Sequence, residues 1–118
     1  LPAGPPIRLN RRSSYGPTRN QMEKPEITAP GDGIYAASSN TSNHTEGTQM
    51  SGTSMAAPCV SGAIALAMSK IHKASPGRQL NARQIRQLLI KSAMDSSRNH
   101  HPGRGFGILD VEKFLDSV

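Results

Sequence analysis

The longest apolar stretch runs from Ser54 to about Lys73, rich in Ala, Met, Leu and Ile and ending at "KASPG". Its pattern predicts a helix. At ~100° per residue, Ala56, Ala57, Val60, Ala63, Ile64, Ala65, Leu66, Ala67 and Met68 cover nearly the whole circumference. The first charged side chain is Lys70. A helix that is apolar all round has to be covered all round, and the remaining residues cannot wrap it alone. The pattern therefore predicts a central helix whose full cover lies outside this stretch of chain.

Two further helices are amphipathic and capped. Asn81 precedes a segment of about Ala82 to Ala93 in which Ile85, Leu88 and Leu89 form one stripe, while Arg83, Arg86 and Lys91 face water. Asp110 caps a short terminal helix with Val111, Phe114 and Leu115 on its apolar face. The strands are short. "KPEITAPGDGIYAAS" predicts one near Glu26 to Thr28, a turn at Pro30-Gly31, and another near Gly33 to Ala37. "GRGFGILD" predicts a glycine-flanked strand of about three residues. Residues 1 to about 24 read as loop, as does the polar run "SSNTSNHTEGTQ". The order of strand, strand, buried helix, amphipathic helix, strand, helix suits part of a layered α/β domain.

Composition sharpens the sense of incompleteness. Hydrophobic residues make up 35% of the 118 and aromatics 3%, with no Trp, which is thin for a self-sufficient core. The chain opens Leu-Pro-Ala-Gly-Pro-Pro with no signal-peptide pattern, so it reads as a piece of something larger. No uninterrupted apolar run approaches the ~18 residues that span a bilayer, the longest being about Gly62 to Met68, so no membrane partner is expected. The net charge of +6 raises nucleic-acid binding as a rival. The basic residues, however, are spread from Arg8 to Lys113 with no aromatic interleaved for stacking, which disfavours it. Cys59 is alone and forms no internal disulfide. Two glycosylation-type triplets, Asn40-Thr41-Ser42 and Asn43-His44-Thr45, tilt the compartment slightly toward a secreted or extracellular one and leave it otherwise open.

The chemistry concentrates at "SGTSMAAP", residues 51–58. A serine where a loop becomes a long helix faces free backbone amides and the positive end of the macrodipole, which would stabilise an oxyanion held there. Gly52, Ala56 and Ala57 leave room for a substrate backbone. Pro58 has no amide and cannot bond to the carbonyl of Ser54, which loosens the first turn. Two other readings fit the same physics: a Ser/Thr helix cap, and a phosphate site. No Lys or Arg lies between His44 and Met68, so a phosphate would lack its usual cation. The cap reading stays open on these residues alone.

"SGTSMAAP" followed by "VSGAIAL" resembles the serine motif of the subtilisin-like serine proteases, the subtilases. "SSYGPT…KPEITAPG" is similar to the loop, strand and turn that precede that motif in the family, and "GFGILDVEKFL" to the strand and helix that close its catalytic domain. The resemblance covers roughly residues 13 to 116, in the family's order. "GTQMSGTS" and the Gly-x-Gly-Ile-x-x-Val ending are also similar to the tripeptidyl-peptidase II branch, without selecting a branch.

The resemblance implies part of a three-layer α/β/α subtilisin-like fold with a parallel sheet, residues 1–118 forming the C-terminal part of the catalytic domain and 1–12 a loop or linker. It implies a peptidase working through an acyl-enzyme on Ser54. The Ser54 amide would be one oxyanion donor, with Thr53 and Gly52 beside it and Met55 next in the chain, open to oxidation that would crowd the site. Cys59 stands where many members carry a non-catalytic His, and is expected to be a small buried residue. Such chemistry needs no cofactor; structural calcium is common in the family, but no ligands for it are placed here. The expected partners are a peptide or protein substrate and the N-terminal remainder of the catalytic domain.

A serine needs a base, and the base needs orienting. In subtilisins the triad runs Asp, His, Ser along the chain. The family's Asp-Thr/Ser-Gly and His-Gly-Thr motifs are absent from this sequence, and its oxyanion Asn lies upstream as well. His72 is on the helix of Ser54, ~27 Å away at 1.5 Å per residue. His100 and His101 sit in an "RNHHPG" loop, and Asp32 in a turn. His44, ten residues before Ser54, fits a substrate-side contact better than a base. The expectation is therefore a nucleophile separated from its base, in a chain inactive alone. A pseudoprotease that uses the same fold for binding is the rival.

Overall fold

The computed structural model describes residues 7–39, 47–96 and 99–118. The two glycosylation-type triplets and His44 lie outside them. Among the described residues five elements run in order: β1 (Ile34–Ala37), β2 (Gly47–Met50), α1 (Thr53–Ala74), α2 (Ala82–Ser92) and α3 (Val111–Asp116).

β1 and β2 form an antiparallel pair running from Ile34 opposite Met50 to Ala37 opposite Gly47. β2 corrects the sequence reading, which assigned most of it to a polar loop. Three of the four residues on each strand are exposed, so β2 carries no hydrophobic alternation to announce it. Its strand character comes from the partner's backbone rather than from its own side chains.

The other two expected strands contract to single bridges. Thr28 pairs in parallel with Ile108, and Ile108 pairs antiparallel with Met94. The amides of Thr28 and Leu109 donate to Gly107 and Thr28 at 2.9 and 2.7 Å, and Phe106 donates to Glu26 at 2.9 Å. Among the described residues, the expected parallel sheet is thus represented by one bridge, and the two-stranded sheet is antiparallel.

α1 spans 22 residues, with Pro58 accommodated near its start. Only Ala63, Ala67 and Ile71 are buried on it, a stripe at the helical period. Ala63 and Ala67 meet Leu89, Leu109 and Phe114 in the core, where Phe114 is fully buried. α1 and α2 both pack on α3, and the Lys70 ammonium donates to the Leu115 carbonyl. Cys59, Val60 and Ile64 are partly buried against this core, and the face with Leu66 and Met68 lies open, 55% and 49% exposed. The circumference that the sequence marks for burial is therefore only partly covered: one side is packed, and the other faces solvent.

α1 is also longer than the uninterrupted apolar run within it. An 18-residue window within it has mean hydropathy 1.3, enough to cross a bilayer by length and composition. The average tolerates the serines and the proline that interrupt the purely apolar runs. Length and composition are all that favour a membrane, since a core helix passes the same test.

α2 opens with a reciprocal cap: Gln84 donates its amide to the Asn81 side chain at 2.9 Å, and Asn81 donates its own to Gln84 Oε1 at 3.0 Å. Asp110 accepts from the Lys113 amide at 3.0 Å at the start of α3. Both caps match the sequence reading.

Candidate active site

The start of α1 is built around Gly52, whose φ of 155° and ψ of 166° put it where glycine is strongly preferred. It is the N-cap, and no side chain caps this helix. Neither Thr53 nor Ser54 is therefore used as a cap, the alternative that the sequence left open. The amides of Met55 and Ala56 fold back onto the Gly52 carbonyl at 3.0 and 3.3 Å. The amides of Thr53 and Ser54 have no partner among the described residues, and neither does the Ser54 hydroxyl, which sits on an exposed residue. A solvent-facing hydroxyl beside two free amides at a helix start can accept and stabilise negative charge on an adjacent oxygen.

The turn before β1 holds this start in place. Gly52 donates to the Gly31 carbonyl at 2.7 Å. A Cβ on Gly31 would come within 2.7 Å of the Gly52 oxygen and 3.0 Å of the Ala56 Cβ, so only glycine allows this approach. Gly33, at φ 62°, donates to Ser51 Oγ at 2.8 Å, and Ser51 Oγ donates to Asp32 Oδ1 at 2.6 Å. Gln49 donates its side-chain amide to the Gly33 carbonyl at 2.9 Å. Asp32 is the turn residue that the sequence predicts, but its partner Ser51 was not legible. The two are 19 positions apart, and no local pattern links them.

Cys59 is half-buried beside the core rather than fully buried. Its thiol makes weak sulfur contacts to the carbonyls of Met55 and Pro30 at 3.5 and 3.6 Å, tying the second turn of α1 to the same loop. Pro58 leaves the Ser54 carbonyl without the bond from four residues on.

Among the described residues, the histidines do not converge on Ser54. His72 lies exposed near the far end of α1. His100 Nε2 is 2.8 Å from the Pro25 carbonyl, and its ring meets Phe106 edge-on at 5.2 Å. His101 Nδ1 accepts from the amides of Gly103 and Arg104 at 3.0 and 3.2 Å. His100 thus ties its loop to the Pro25 segment, and His101 shapes the loop itself. Among the described residues there is no cluster of three or more His, Cys, Asp or Glu that could hold a metal ion.

Charge gathers instead at Glu26, which pairs with Lys24 and lies 3.6 Å from the Arg86 guanidinium. Burial would raise its carboxyl, but the Lys24 hydrogen bond, its own backbone and the two cations outweigh that and hold it below the usual glutamate range. Arg86 also stands over Phe106, 5.8 Å from the ring centroid. A surface hollow near this cluster is lined by residues 14–18 and 24–26, with no residue of the Ser54 region in its wall.

The model of the subtilase family matches residues 8–108. The chain is 34% identical over 122 residues to the PII-type proteinase of Lactococcus lactis subsp. cremoris, covering 90% of this chain and 6% of that one. It is 36% identical over 121 residues to the C5a peptidase of Streptococcus pyogenes, covering 96% and 10% respectively. The solved structure of the Clostridium perfringens CspB protease superposes with a TM-score of 0.76 at 29% identity, over 91% of this chain and 23% of that one. The chain thus spans a small part of the length of each of these proteins.

Proposed function

The chain belongs to the subtilase family, and on that premise we propose that it contributes the nucleophile, Ser54, to a serine peptidase acting on peptide or protein substrates. The observation that carries this reading is the "SGTSMAAP" segment with the Ser54 hydroxyl exposed at the mouth of α1, beside the unpartnered amides of Thr53 and Ser54. Ser54 Oγ attacks the scissile carbonyl carbon, and its proton passes to a histidine base. The carbonyl oxygen becomes an oxyanion facing the Ser54 amide, supported from the Thr53 side. The C–N bond breaks as the base returns the proton to the departing amine, and water then releases the acyl group from Ser54 by the same steps.

The described residues place no base beside Ser54. The family's chain order puts the Asp, the His and the oxyanion Asn in the N-terminal part of the catalytic domain. The open face of α1, including Leu66 and Met68, is where that remainder would pack. The chain alone is therefore inactive under this proposal, and no metal takes part in the chemistry. A secreted or extracellular setting goes with the reading, supported by the triplets at Asn40 and Asn43.

The test uses the longer protein that carries this chain. A biotinylated fluorophosphonate should label it, and labelled casein should be hydrolysed. Ser54→Ala should abolish both, by at least about a thousandfold, since the triad works as a unit. A wild-type protein that binds peptides yet neither labels nor hydrolyses them would be a pseudoprotease instead.

A further inference from the structure

The loop ahead of the proposed nucleophile has one feature that backbone hydrogen bonding alone does not require. Ser51, three residues before Ser54, uses its hydroxyl twice: it accepts from the Gly33 amide at 2.8 Å and donates to Asp32 Oδ1 at 2.6 Å. A hydroxyl that both donates and accepts fixes its own rotamer, which a one-sided bond does not. A carboxylate acceptor also gives the shorter, stronger kind of hydrogen bond.

The position of this pair matters because Ser51 adjoins the helix cap. That cap, Gly52, sits at φ 155° and hangs from the Gly31 carbonyl by its amide. Its carbonyl in turn receives the Met55 and Ala56 amides, which sets the first turn of α1. The path from Asp32 to the Ser54 hydroxyl is thus short and made of bonded contacts. Losing the Ser51 anchor leaves the peptide between Ser51 and Gly52 held only by the bond from the Gly52 amide to the Gly31 carbonyl. That peptide sets the direction of the Thr53 and Ser54 amides and of the Ser54 side chain.

We propose that Asp32 and Ser51 are a positioning pair, which holds the start of α1 so that the Ser54 hydroxyl and the free amides beside it share one fixed geometry. Neither residue touches substrate in this role; both act through Gly52. The inference rests on the proposed function of Ser54 and adds a requirement to it. Misplacing a reacting group by about 1 Å can cost on the order of a hundredfold in rate, so a partly loosened anchor is expected to cost about tenfold.

The experiment measures fluorophosphonate inactivation of the longer, active protein, separating the maximal rate of inactivation from the concentration that half-saturates it. Ser51→Ala and Asp32→Ala should each lower the maximal rate about tenfold and move the half-saturating concentration less than about twofold. Asp32→Asn and Ser51→Thr keep an acceptor and a hydroxyl, and should restore most of the rate. The double variant Ser51→Ala/Asp32→Ala should be no slower than the worse single one, since both break the same bond. Thermal unfolding of each variant identifies a general loss of folding. If Ser54→Ala abolishes labelling while both alanine variants label at the wild-type rate, the positioning role is overturned and the peptidase reading stands. The role is equally overturned if the conservative variants are as slow as the alanine ones. If the wild type does not label at all, the peptidase reading itself has failed.

Discussion

Gly52 donates its amide to the carbonyl of Gly31 at 2.7 Å, and the Cα of Gly31 faces the Gly52 carbonyl so closely that no side chain fits between them. Two glycines, one in a turn and one at a helix start, thus meet back to back. Gly31→Ala would bring its Cβ against a backbone oxygen, which cannot rotate away as a side chain can. Destabilisation of about 1–3 kcal/mol is expected, read as a lowered unfolding midpoint in the longer protein. Fluorophosphonate labelling of Ser54 should slow by more than that loss explains, because the displaced element is the start of α1.

The 118-residue chain on its own should neither hydrolyse labelled casein nor react with a fluorophosphonate above the rate of its Ser54→Ala variant. The reason is the missing base: His100 is held against the Pro25 carbonyl, His101 within its own loop, and His72 is far along α1. A Ser54-dependent rate from the isolated chain would sink this expectation. Adding the N-terminal remainder of the domain should restore labelling.

Glu26 makes stability depend on pH in the acid range. Its carboxyl is held below the ordinary glutamate value of 4.5 in the folded chain, so its contribution is complete well above that value and fades as the pH falls through the lowered folded value. Denaturant unfolding of wild type and Glu26→Gln should differ at about pH 6 and converge toward about pH 3. With Glu26 and Arg86 partly solvent-exposed, the difference should be modest and should shrink in high salt. A difference that grows on acidification would contradict the assigned cause.

Asn81→Ala should cost about 1 kcal/mol, because it removes the side chain that accepts from the Gln84 amide and disrupts the reciprocal cap. Asn81→Ser should retain most of the stability. The comparison is a pair of unfolding midpoints, and equal midpoints for the wild type and Asn81→Ala would show that packing alone, without the cap, holds α2.

The features legible in the sequence share a local cause. The helices show in their apolar period and capping residues, as at Asn81 and Asp110, because a cap and its target lie within one turn of chain. The serine motif shows because its eight residues are contiguous. β2 did not show, since its residues are mostly exposed and its hydrogen-bonding partner is a separate strand. The strand expected around Thr28 is a single bridge, as its pairing depends on Gly107 and Ile108 far along the chain.

That α1 exists, that it starts within a residue of Ser54 and that this chain belongs with the subtilases follow from the sequence, because periodicity and a contiguous motif are properties of the chain alone. Only the tertiary structure decided how that start is held. It made Gly52 rather than a serine the cap, set Gly31 against it, and joined Ser51 to Asp32. Those choices rest on contacts between segments separated by β1 and β2, and such contacts exist only once the chain has folded back on itself.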